Sequence, residues 1–539
     1  MREKIIVNGD EARQKLLRGV ETLSNAVKIT LGPKGRNVIV DHIQIEPIVT
    51  NDGVTIAKEI VVADEIENTA VQILRSACSK TNDIAGDGTT TATILAENIF
   101  KEGLKCFNTG ANPILLRNGI KKASQKVVEY IQSKSKQVKD NNSICQLATI
   151  SSGSEETGAI IAKAFEQVGL DGVITIEDGS NLSTTLNVTE GLRINRGYIS
   201  PYMCNDQNKM TAELDNPYIL ITDKKISHIN EILPIIEKVA GVNGSLFIVA
   251  EDIEGDALTT LVVNNMRKTF NCVAVKTPYF ADRRKKVLGD IALSIGGKYI
   301  TGDIFNDFKD ITLEDLGRSE KVKVSKDNAI IIGAKGDKEK INQHIKELKE
   351  KLKVTFVDFD REVLQGRISN LNGGIAVIKV GAMSEVEMRE TKLRMEDALN
   401  ATQAGIDEGI VAGGGVALLK AKHAVEELVE TLSGDEKLGA QIILKTLEIP
   451  IRQIAKNAGV DDGVVVEKVL SNKDENFGYD ALRNEFVNMF EAGIIDPVKV
   501  TRTALECATS VASTLLTTEC VSVQNKSKMS EEEKCGYQG

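Results

Sequence analysis

The clearest pattern near the start of the chain is an apolar residue at nearly every third or fourth position over residues 10–30. This spacing places the apolar side chains on one face and predicts an amphipathic helix. Its apolar positions are Ala12, Leu16, Leu17, Val20, Leu23, Val27 and Leu31. A turn rich in glycine at residues 30–37 ends the helix and precedes a short predicted strand at 38–40. Residues 48–56 predict a strand, a turn at 51–53 and a second strand.

Residues 83–93 lie between two further predicted helices, at 64–80 and 89–108. They comprise an acid, two glycines, a second acid and three consecutive threonines, and Ile84 is their only large apolar residue. A helix that begins there would point free amide groups and the positive end of its dipole at an anion, and Asp87 could hold a metal beside that anion. The hypothesis is a phosphate site with a magnesium ligand. An ordinary capped helix after a glycine turn is the alternative, and these residues do not separate the two.

The pattern of predicted helices and strands changes twice along the chain. A polar stretch at 133–142 predicts a first domain boundary, and from residue 191 short strands and helices alternate, which is typical of an α/β unit. The predicted strands lie at 217–222, 245–250, 272–276 and 329–333, and the predicted helices at 229–240, 255–268, 282–295 and 337–352. After residue 373 the chain returns to helical segments, which continue through about residue 516. The polar tail from residue 524 is expected to be disordered.

Length and composition exclude several classes of protein. At 539 residues the chain is too long for one core, so about three or four domain-sized units are expected. A hydrophobic content of 42% and a charged content of 27% describe a globular protein, and the formal charge of −10 argues against a general nucleic-acid binder. The eight cysteines form no C-x-x-C pair, which argues against a zinc site. No apolar run is long enough to cross a bilayer and no leader is recognisable, so a cytoplasmic location is expected.

No known nucleotide motif accounts for the phosphate hypothesis. The chain has no G-x-x-x-x-G-K-[ST] loop and no G-x-G-x-x-G before a helix, which argues against P-loop NTPases, dinucleotide enzymes and protein kinases. The remaining acid and glycine positions are Gly32, Asp52, Asp87, Gly88, Asp397 and Gly414. A metal-binding acid, a water-orienting acid and amide donors suffice for phosphoryl transfer. The sequence does not show that these positions converge; a simple helix stop at Gly32 and ordinary turn chemistry at Asp52 are the alternatives.

Five separated motifs occur in order along the chain. They are Thr30-Leu31-Gly32-Pro33-Lys34-Gly35-Arg36-Asn37-Val38, residues 82–93, Glu251-Asp252-Ile253-Glu254-Gly255, Asp282-Arg283-Arg284-Lys285 and Val411-Ala412-Gly413-Gly414-Gly415-Val416-Ala417-Leu418. This series closely resembles the group I chaperonin (GroEL) family. The resemblance extends from about residue 2 to residue 523, which makes it far more specific than any single motif.

The resemblance implies a multidomain α/β fold with a mostly α-helical equatorial domain, a small α+β intermediate domain and an α/β apical domain. The implied boundaries are 1–133 and 409–523 (equatorial), 134–190 and 375–408 (intermediate), 191–374 (apical) and 524–539 (tail). The implied activity is ATP-dependent folding, in which non-native clients bind an apolar apical face and fold inside a chamber closed by a GroES-type co-chaperonin. The implied assembly is a homo-oligomer of stacked seven-membered rings, with no role for nucleic acid or membrane.

The resemblance also assigns roles to individual residues. ATP and Mg²⁺ are the implied cofactors, and K⁺ is allowed as a further ion. Asp52 and Asp397 match the acids that orient the attacking water, and Asp87 matches the magnesium ligand. The implied nucleotide contacts are Thr30, Leu31, Gly32, Pro33, Asn51, Asp87, Gly88, Thr89, Thr90, Thr91, Gly414, Asp480, Ala481, Leu482 and Asp496. The implied client-binding residues are Tyr198, Tyr202, Met203, Leu233, Ile236, Leu258, Val262 and Val263, for which an ordinary buried core is the alternative.

This sequence departs from the family pattern at four places. Asn51 stands where the family has lysine, which removes a positive charge beside the phosphates, so slower hydrolysis is expected. Asp480 replaces an asparagine near the base, Gln137 replaces a hinge proline, and a charged end with Cys535 replaces a Gly-Gly-Met tail. The alternatives to a folding chaperonin are an ATP-binding holdase with weak turnover, which Asn51 favours, and a small-molecule kinase, which the apolar apical residues disfavour.

Overall fold

A computed structural model describes residues 4–41, 47–138, 140–170, 172–179, 181–206, 210–278, 281–301, 308–354, 363–364, 367–368, 370–371 and 374–524. The chain forms two compact units. The first unit comprises residues 1–163, 178–184 and 380–539, and the second unit comprises residues 164–177 and 185–379. Among the described residues, no helix combines the length and the apolar content that crossing a membrane requires.

The described elements alternate between long helices and short strands. The α-helices are α1 (Gly9–Val27), α2 (Gly53–Glu59), α3 (Glu65–Ala85), α4 (Thr89–Asn108), α5 (Pro113–Ser133), α6 (Asn141–Ser152), α7 (Glu155–Val168), α8 (Ile229–Gly241), α9 (Gly255–Met266), α10 (Ala281–Ile295), α11 (Lys338–Val354), α12 (Glu385–Glu408), α13 (Val416–Lys420), α14 (Lys422–Thr431), α15 (Gly434–Thr446), α16 (Ile449–Asn457), α17 (Asp462–Ser471) and α18 (Val498–Leu516). Short 3₁₀ helices occur at Lys28–Thr30, Pro201–Met203 and Phe308–Asp310.

The strands are shorter and are distributed over the whole chain. They are β1 (Lys4–Asn8), β2 (Val38–Val40), β3 (Ile48–Thr50), β4 (Val173–Asp178), β5 (Thr185–Ile194), β6 (Ala212–Asp215), β7 (Tyr218–Thr222), β8 (Lys225–Ile226), β9 (Leu246–Ala250), β10 (Asp252–Ile253), β11 (Cys272–Lys276), β12 (Tyr299–Ile300), β13 (Gly317–Arg318), β14 (Lys321–Val324), β15 (Ala329–Ile332), β16 (Gly374–Val380), β17 (Ile410–Ala412), β18 (Phe477–Asp480), β19 (Glu485–Asn488), β20 (Ile495–Pro497) and β21 (Cys520–Gln524).

The core of the first unit is built from the apolar faces of its long helices. α18 packs against α3, α4 and α5, and α5 packs on α15. The periodic residues of α1 belong to this core, which is largely aliphatic and also buries Phe100. β1 pairs antiparallel with β21, with Lys4 opposite Gln524, so both ends of the described chain lie in the same unit.

The second unit contains a sheet that is covered on both faces. Its parallel strands run in the order β11-β9-β7-β12, and β13 pairs antiparallel with β7. Along β9, Leu246 and Ile248 pack with buried residues of α8 and α9, whereas Phe247 and Val249 pack with those of α10. A second, largely antiparallel sheet has the order β4-β16-β5-β15-β14-β6. The predicted α/β character of this region is confirmed.

Most elements predicted from periodicity are confirmed. The helix predicted at 89–108 and the strand predicted at 272–276 have the observed bounds, and α8 to α11 begin and end within two residues of their predicted positions. Helices of this kind have a continuous apolar face, which is a property of the local sequence.

Three predictions fail or lie outside the described residues. The second strand predicted within residues 48–56 is wrong, because Asp52 caps a helix and the chain continues as α2. The strands β18 and β19 interrupt a region that was predicted to be helical, and the paired strands β1 and β21 were not predicted. The predicted disordered tail falls on residues outside the described part of the chain, except for Gln524, which ends β21.

Replacing Gly119 by alanine is expected to lower the stability of the first unit by about 1–3 kcal/mol, because its Cβ would overlap the carbonyl of Glu436 across the α5–α15 contact. Gly289→Ala is the control. Gly289 is also helical, but among the described residues no atom beyond its chain neighbours and its own helix backbone lies within 4 Å of its added Cβ, so its substitution is neutral or stabilising. Calorimetric unfolding of the full chain measures both variants, and an unchanged transition for Gly119→Ala would contradict the close helix contact.

Candidate functional site

Two helix ends meet within residues 83–93. α3 ends at Gly86 (φ 69°) and α4 begins after Gly88 (φ 85°), and both glycines are in the left-handed conformation. Gly88 offers no side chain to cap α4, so the first-turn amides of residues 89–91 are available to a ligand. These amides lie at the positive end of the helix dipole, which favours an anion.

Packing also requires the same two glycines. A Cβ on Gly86 would overlap Asn400 of α12, and a Cβ on Gly88 would lie 2.7 Å from Cγ1 of Val500 in α18. Close approach and positive φ therefore both select glycine. The alternative of an ordinary turn explains the glycines, but it does not explain the acid Asp87 between them.

Asp52 lies at the N-terminus of a second helix that abuts the first. Its carboxylate caps α2 and accepts from the amide (2.9 Å) and the hydroxyl (2.6 Å) of Thr55. A Cβ on Gly53 would lie 2.7 Å from the hydroxyl oxygens of both Thr89 and Thr90. The N-termini of α2 and α4 therefore converge, and Asp52 lies beside the first turn of α4.

Thr30 and the loop that follows it form another side of this site. The Thr30 hydroxyl lies 3.4 Å from the Thr90 hydroxyl. The side-chain amide of Asn457, at the end of α16, donates to the carbonyl oxygen of Leu31 (2.8 Å) and holds the loop in place. Residues 32–33 are exposed at the tip of the loop.

Four aspartates from separate chain segments converge on this place. Burial raises the pKa of Asp87, and so does the charge of Asp52. Burial, followed by the charges of Asp52 and Asp87, raises the pKa of Asp397 on α12 well above its ordinary value. Burial and then Asp87 raise the pKa of Asp496 to about 7. Packing agrees with this proximity: Asn400, three residues after Asp397, lies against Gly86, and Val500, four residues after Asp496, lies against Gly88. The four acids therefore lie near one another.

The donor set suits a hard divalent cation. Carboxylates that oppose one another's ionisation are relieved by a positive charge, and oxygen is the donor that Mg²⁺ prefers. In the part of the chain that the structure describes, however, no three His, Cys, Asp or Glu side chains are grouped closely enough to hold a metal by themselves. One or two carboxylates, Asp87 first among them, would therefore share the cation with oxygen atoms of a bound phosphate, as is common for Mg²⁺.

The strand pair β17–β20 positions Gly414 and Asp496. Val411 lies opposite Asp496 in this pair, and the amide of Gly413 donates to the carbonyl of Ile494 (3.0 Å). Gly414 follows with a φ of 63°, a conformation that favours glycine. Gly414 and Asp496 therefore lie on adjacent segments of the structure, and their contact with a nucleotide remains a prediction.

Asp480 has a local structural role. Its buried carboxylate accepts from the amides of Leu482 (2.9 Å) and Arg483 (3.1 Å), and these bonds close the turn between β18 and β19. Ala481 is buried and Leu482 is exposed. The aspartate thus stabilises the hairpin, and a role of these three residues toward a base remains a prediction.

Several contributors to the site were not predicted. Ser151 of α6 donates to Asp87 (3.1 Å) across 64 positions of sequence, Asn400 packs against Gly86, and Asn457 holds the loop at Leu31. No local pattern marks these residues, because each acts through a contact between distant segments. Asn51 lies beside Asp52 with a half-buried side chain, and its effect on hydrolysis remains a prediction.

The predicted client-binding residues lie in the second unit, and most of them reach its surface. Tyr202 is 66% exposed, and Leu233 on α8 and Val263 on α9 are each 38% exposed. Four more are half-buried, namely Tyr198, Ile236, Leu258 and Val262. Met203 is fully buried in the core, so the structure does not place it on this surface. α8, α9 and the helix Pro201–Met203 pack together, so the exposed members lie on neighbouring elements. We call Tyr202, Leu233 and Val263 together the apolar surface.

The two units together have the fold of a chaperonin subunit. Residues 23–526 match the model of the TCP-1/cpn60 chaperonin family, so the chain belongs to that family. It is also similar to a solved structure of the chaperonin gp146 from the bacteriophage EL 2 (Pseudomonas aeruginosa) in the presence of ATP-BeFx. That likeness has a TM-score of 0.69 at 21% identity and covers 97% of this chain and 100% of that chain. The chaperonin fold predicted from the sequence is confirmed.

Asp496→Asn is expected to change the pH dependence of stability. With a pKa of about 7 in the folded state and about 4 in the unfolded state, Asp496 binds a proton more tightly when folded. The free energy of unfolding therefore falls as the pH rises from about 4 to 7, by up to roughly 4 kcal/mol for this group. Asparagine has no such titration, so the variant should be more stable than the wild type at pH 8 and lose this advantage near pH 4.

Thermal unfolding of both proteins across this pH range, in a chelator that removes divalent cations, measures the difference. The difference between variant and wild type is the informative quantity, because the other acids titrate in both proteins. Parallel curves at every pH would contradict the raised pKa of Asp496.

Proposed function

We propose that this protein is a cytoplasmic, ATP-dependent chaperonin that binds non-native proteins and promotes their folding. The observation that carries the proposal is the convergence of Asp52, Asp87 and Asp397 beside the uncapped N-terminus of α4. The second unit of this chaperonin-family chain exposes apolar residues. The chain therefore has both a site suited to phosphate chemistry and a surface suited to binding unfolded chains. The related chaperonin structure in the presence of ATP-BeFx supports a nucleotide at the site.

The first turn of α4 would bind the phosphates of ATP. Its amides donate to phosphate oxygens, and Gly88 lets the backbone approach them closely. Asp87 would hold Mg²⁺, which would neutralise phosphate charge and fix the phosphate geometry. The loop at residues 30–33 and the segments around Gly414 and Asp496 would surround the remainder of the nucleotide.

Asp52 and Asp397 would orient the attacking water. An aspartate orients water and accepts its proton only when it is ionised, and the charges of Asp52 and Asp87 oppose the ionisation of Asp397. Hydrolysis therefore requires that α12 holds Asp397 at the site and that a cation at Asp87 supplies enough positive charge to keep Asp397 ionised. This dependence gives a physical reason for hydrolysis to follow binding.

The apolar surface of the second unit would bind the clients. Non-native chains expose apolar side chains that a folded protein buries, and contact with Tyr202, Leu233 and Val263 would remove both surfaces from water.

We carry over from the chaperonin resemblance the division into equatorial, intermediate and apical domains, stacked seven-membered rings, a GroES-type co-chaperonin and K⁺ as a further ion. The alternative function is a holdase with weak ATP turnover, favoured by the absence of a lysine at Asn51.

Asp52→Asn and Asp397→Asn are each expected to lower steady-state ATP turnover at least about 100-fold, because asparagine cannot accept a proton from water. Asparagine is as good an N-cap as aspartate, so Asp52→Asn keeps α2 intact. Asp461→Asn is the control: Asp461 is also an N-cap, of α17, and accepts from the amides of Gly463 and Val464 on one oxygen, so its substitution should leave turnover unchanged. Wild-type turnover no faster than that of Asp397→Asn would support the holdase instead.

Leu233→Ser and Val263→Ser are expected to weaken the capture of a denatured client by about tenfold each, because each removes apolar surface that binding would bury. Val242→Ser is the control, since Val242 is also a largely exposed apolar residue but lies at the far end of α8. Suppression of client aggregation measures capture, and circular dichroism checks the fold. Equal losses in all three variants would contradict a localised client surface.

A further inference from the structure

The carboxylate of Asp87 is held by two donors on its two different oxygens. The amide of Gly88 donates to Oδ1, and the hydroxyl of Ser151 donates to Oδ2 (3.1 Å). Donors on both oxygens restrict rotation of the carboxylate about its Cβ–Cγ bond. The first donor belongs to the turn that carries Asp87, whereas the second comes from the last turn of α6.

Ser151 differs from the serine beside it. The hydroxyl of Ser152 donates to the carbonyl of Ala148 within the same helix (2.7 Å), which is a common choice for serine in a helix. The hydroxyl of Ser151 instead leaves α6 and reaches a carboxylate. Hydrogen bonds to an ionised carboxylate are stronger than those between neutral groups, so this contact favours a fixed position of Asp87.

The helix that carries Ser151 is packed against the helix that carries Asp397. α6 and α12 are in extensive contact, and Gly405 of α12 lies so close to Leu147 of α6 that an added Cβ would overlap it. Ser151 and Asp397 therefore approach Asp87 as parts of one helix pair. The hydrogen bond to Asp87 is therefore also a contact between this helix pair and the turn that carries Asp87.

We propose that Ser151 is a positioning residue that orients Asp87 toward its cation and couples cation binding to the seating of the α6–α12 pair. This inference rests on the proposed function. A carboxylate oxygen has two lone pairs, so Oδ2 can accept from Ser151 and still face a cation. Hydrogen-bonding partners of metal ligands commonly change metal affinity by about 10- to 100-fold.

The test measures how much a cation strengthens nucleotide binding to the full chain. The dissociation constant of a fluorescent, non-hydrolysable ATP analogue is determined in a chelator and in saturating Mn²⁺, and the ratio of the two constants is the gain from the cation. Ser151→Ala is expected to reduce this ratio about 10- to 100-fold. The constant in the chelator should stay close to that of the wild type. Ser151→Thr keeps the hydroxyl and should restore the ratio.

Ser152→Ala is the matched control, because it removes the hydroxyl that bonds to Ala148 and to the amide of Ser154 at the next position but leaves Asp87 untouched. It should retain the wild-type ratio. The inference is overturned if Ser151→Ala keeps the wild-type ratio, or if Ser152→Ala reduces the ratio equally; in both cases the wild type still binds the analogue and the proposed function stands. A wild type that binds no analogue, with or without Mn²⁺, would instead overturn the proposed function.

Discussion

Mutual repulsion among four aspartates is the constraint on which the rest of the first unit depends. Asp52 opposes the ionisation of Asp87, both oppose that of Asp397, and Asp87 opposes that of Asp496, so their convergence is unfavourable unless packing enforces it or a cation relieves it. Packing does enforce it. Asn400 and Val500 press on Gly86 and Gly88 from α12 and α18, and Asp52 is fixed by its own helix. The large aliphatic core behind these helices supplies the stability that holds the acids together.

The same packing explains how an anion and a cation can be held side by side. The N-termini of α2 and α4 meet through Gly53, Thr89 and Thr90, which concentrates the positive ends of two helices at one point. Asp52 uses its carboxylate to cap α2, whereas Gly88 leaves α4 uncapped. One helix N-terminus is thus satisfied internally and the other is open to a ligand, immediately beside the acids that favour a metal.

Local patterns predicted the long helices and the α/β region, because an apolar face or an alternating strand is a property of neighbouring residues. They did not predict α2, since Asn51-Asp52-Gly53 also suits a hairpin turn, and the capping of α2 by Asp52 and the close approach of Gly53 to two threonines of α4 became visible only in the structure. Pairing of β1 with β21 joins the two ends of the described chain and leaves no local signal. Single acids of the site could be predicted from the family resemblance. Ser151 could not, because a serine acquires its role only through a partner 64 positions away.

The side chains of the site come from two groups of elements within the first unit. Asp52 and Asp87 lie at the ends of helices of the core, whereas Ser151 lies on α6 and Asp397 on α12, which pack against each other. Among the contacts of this pair at the site, the hydrogen bond of Ser151 to Asp87 is favourable and the charge of Asp397 beside Asp87 is unfavourable. A bound cation removes the unfavourable contact and leaves the favourable one. The free energy of packing the α6–α12 pair against the site therefore depends on what occupies the phosphate site. A nucleotide-driven change of conformation requires at least such a dependence.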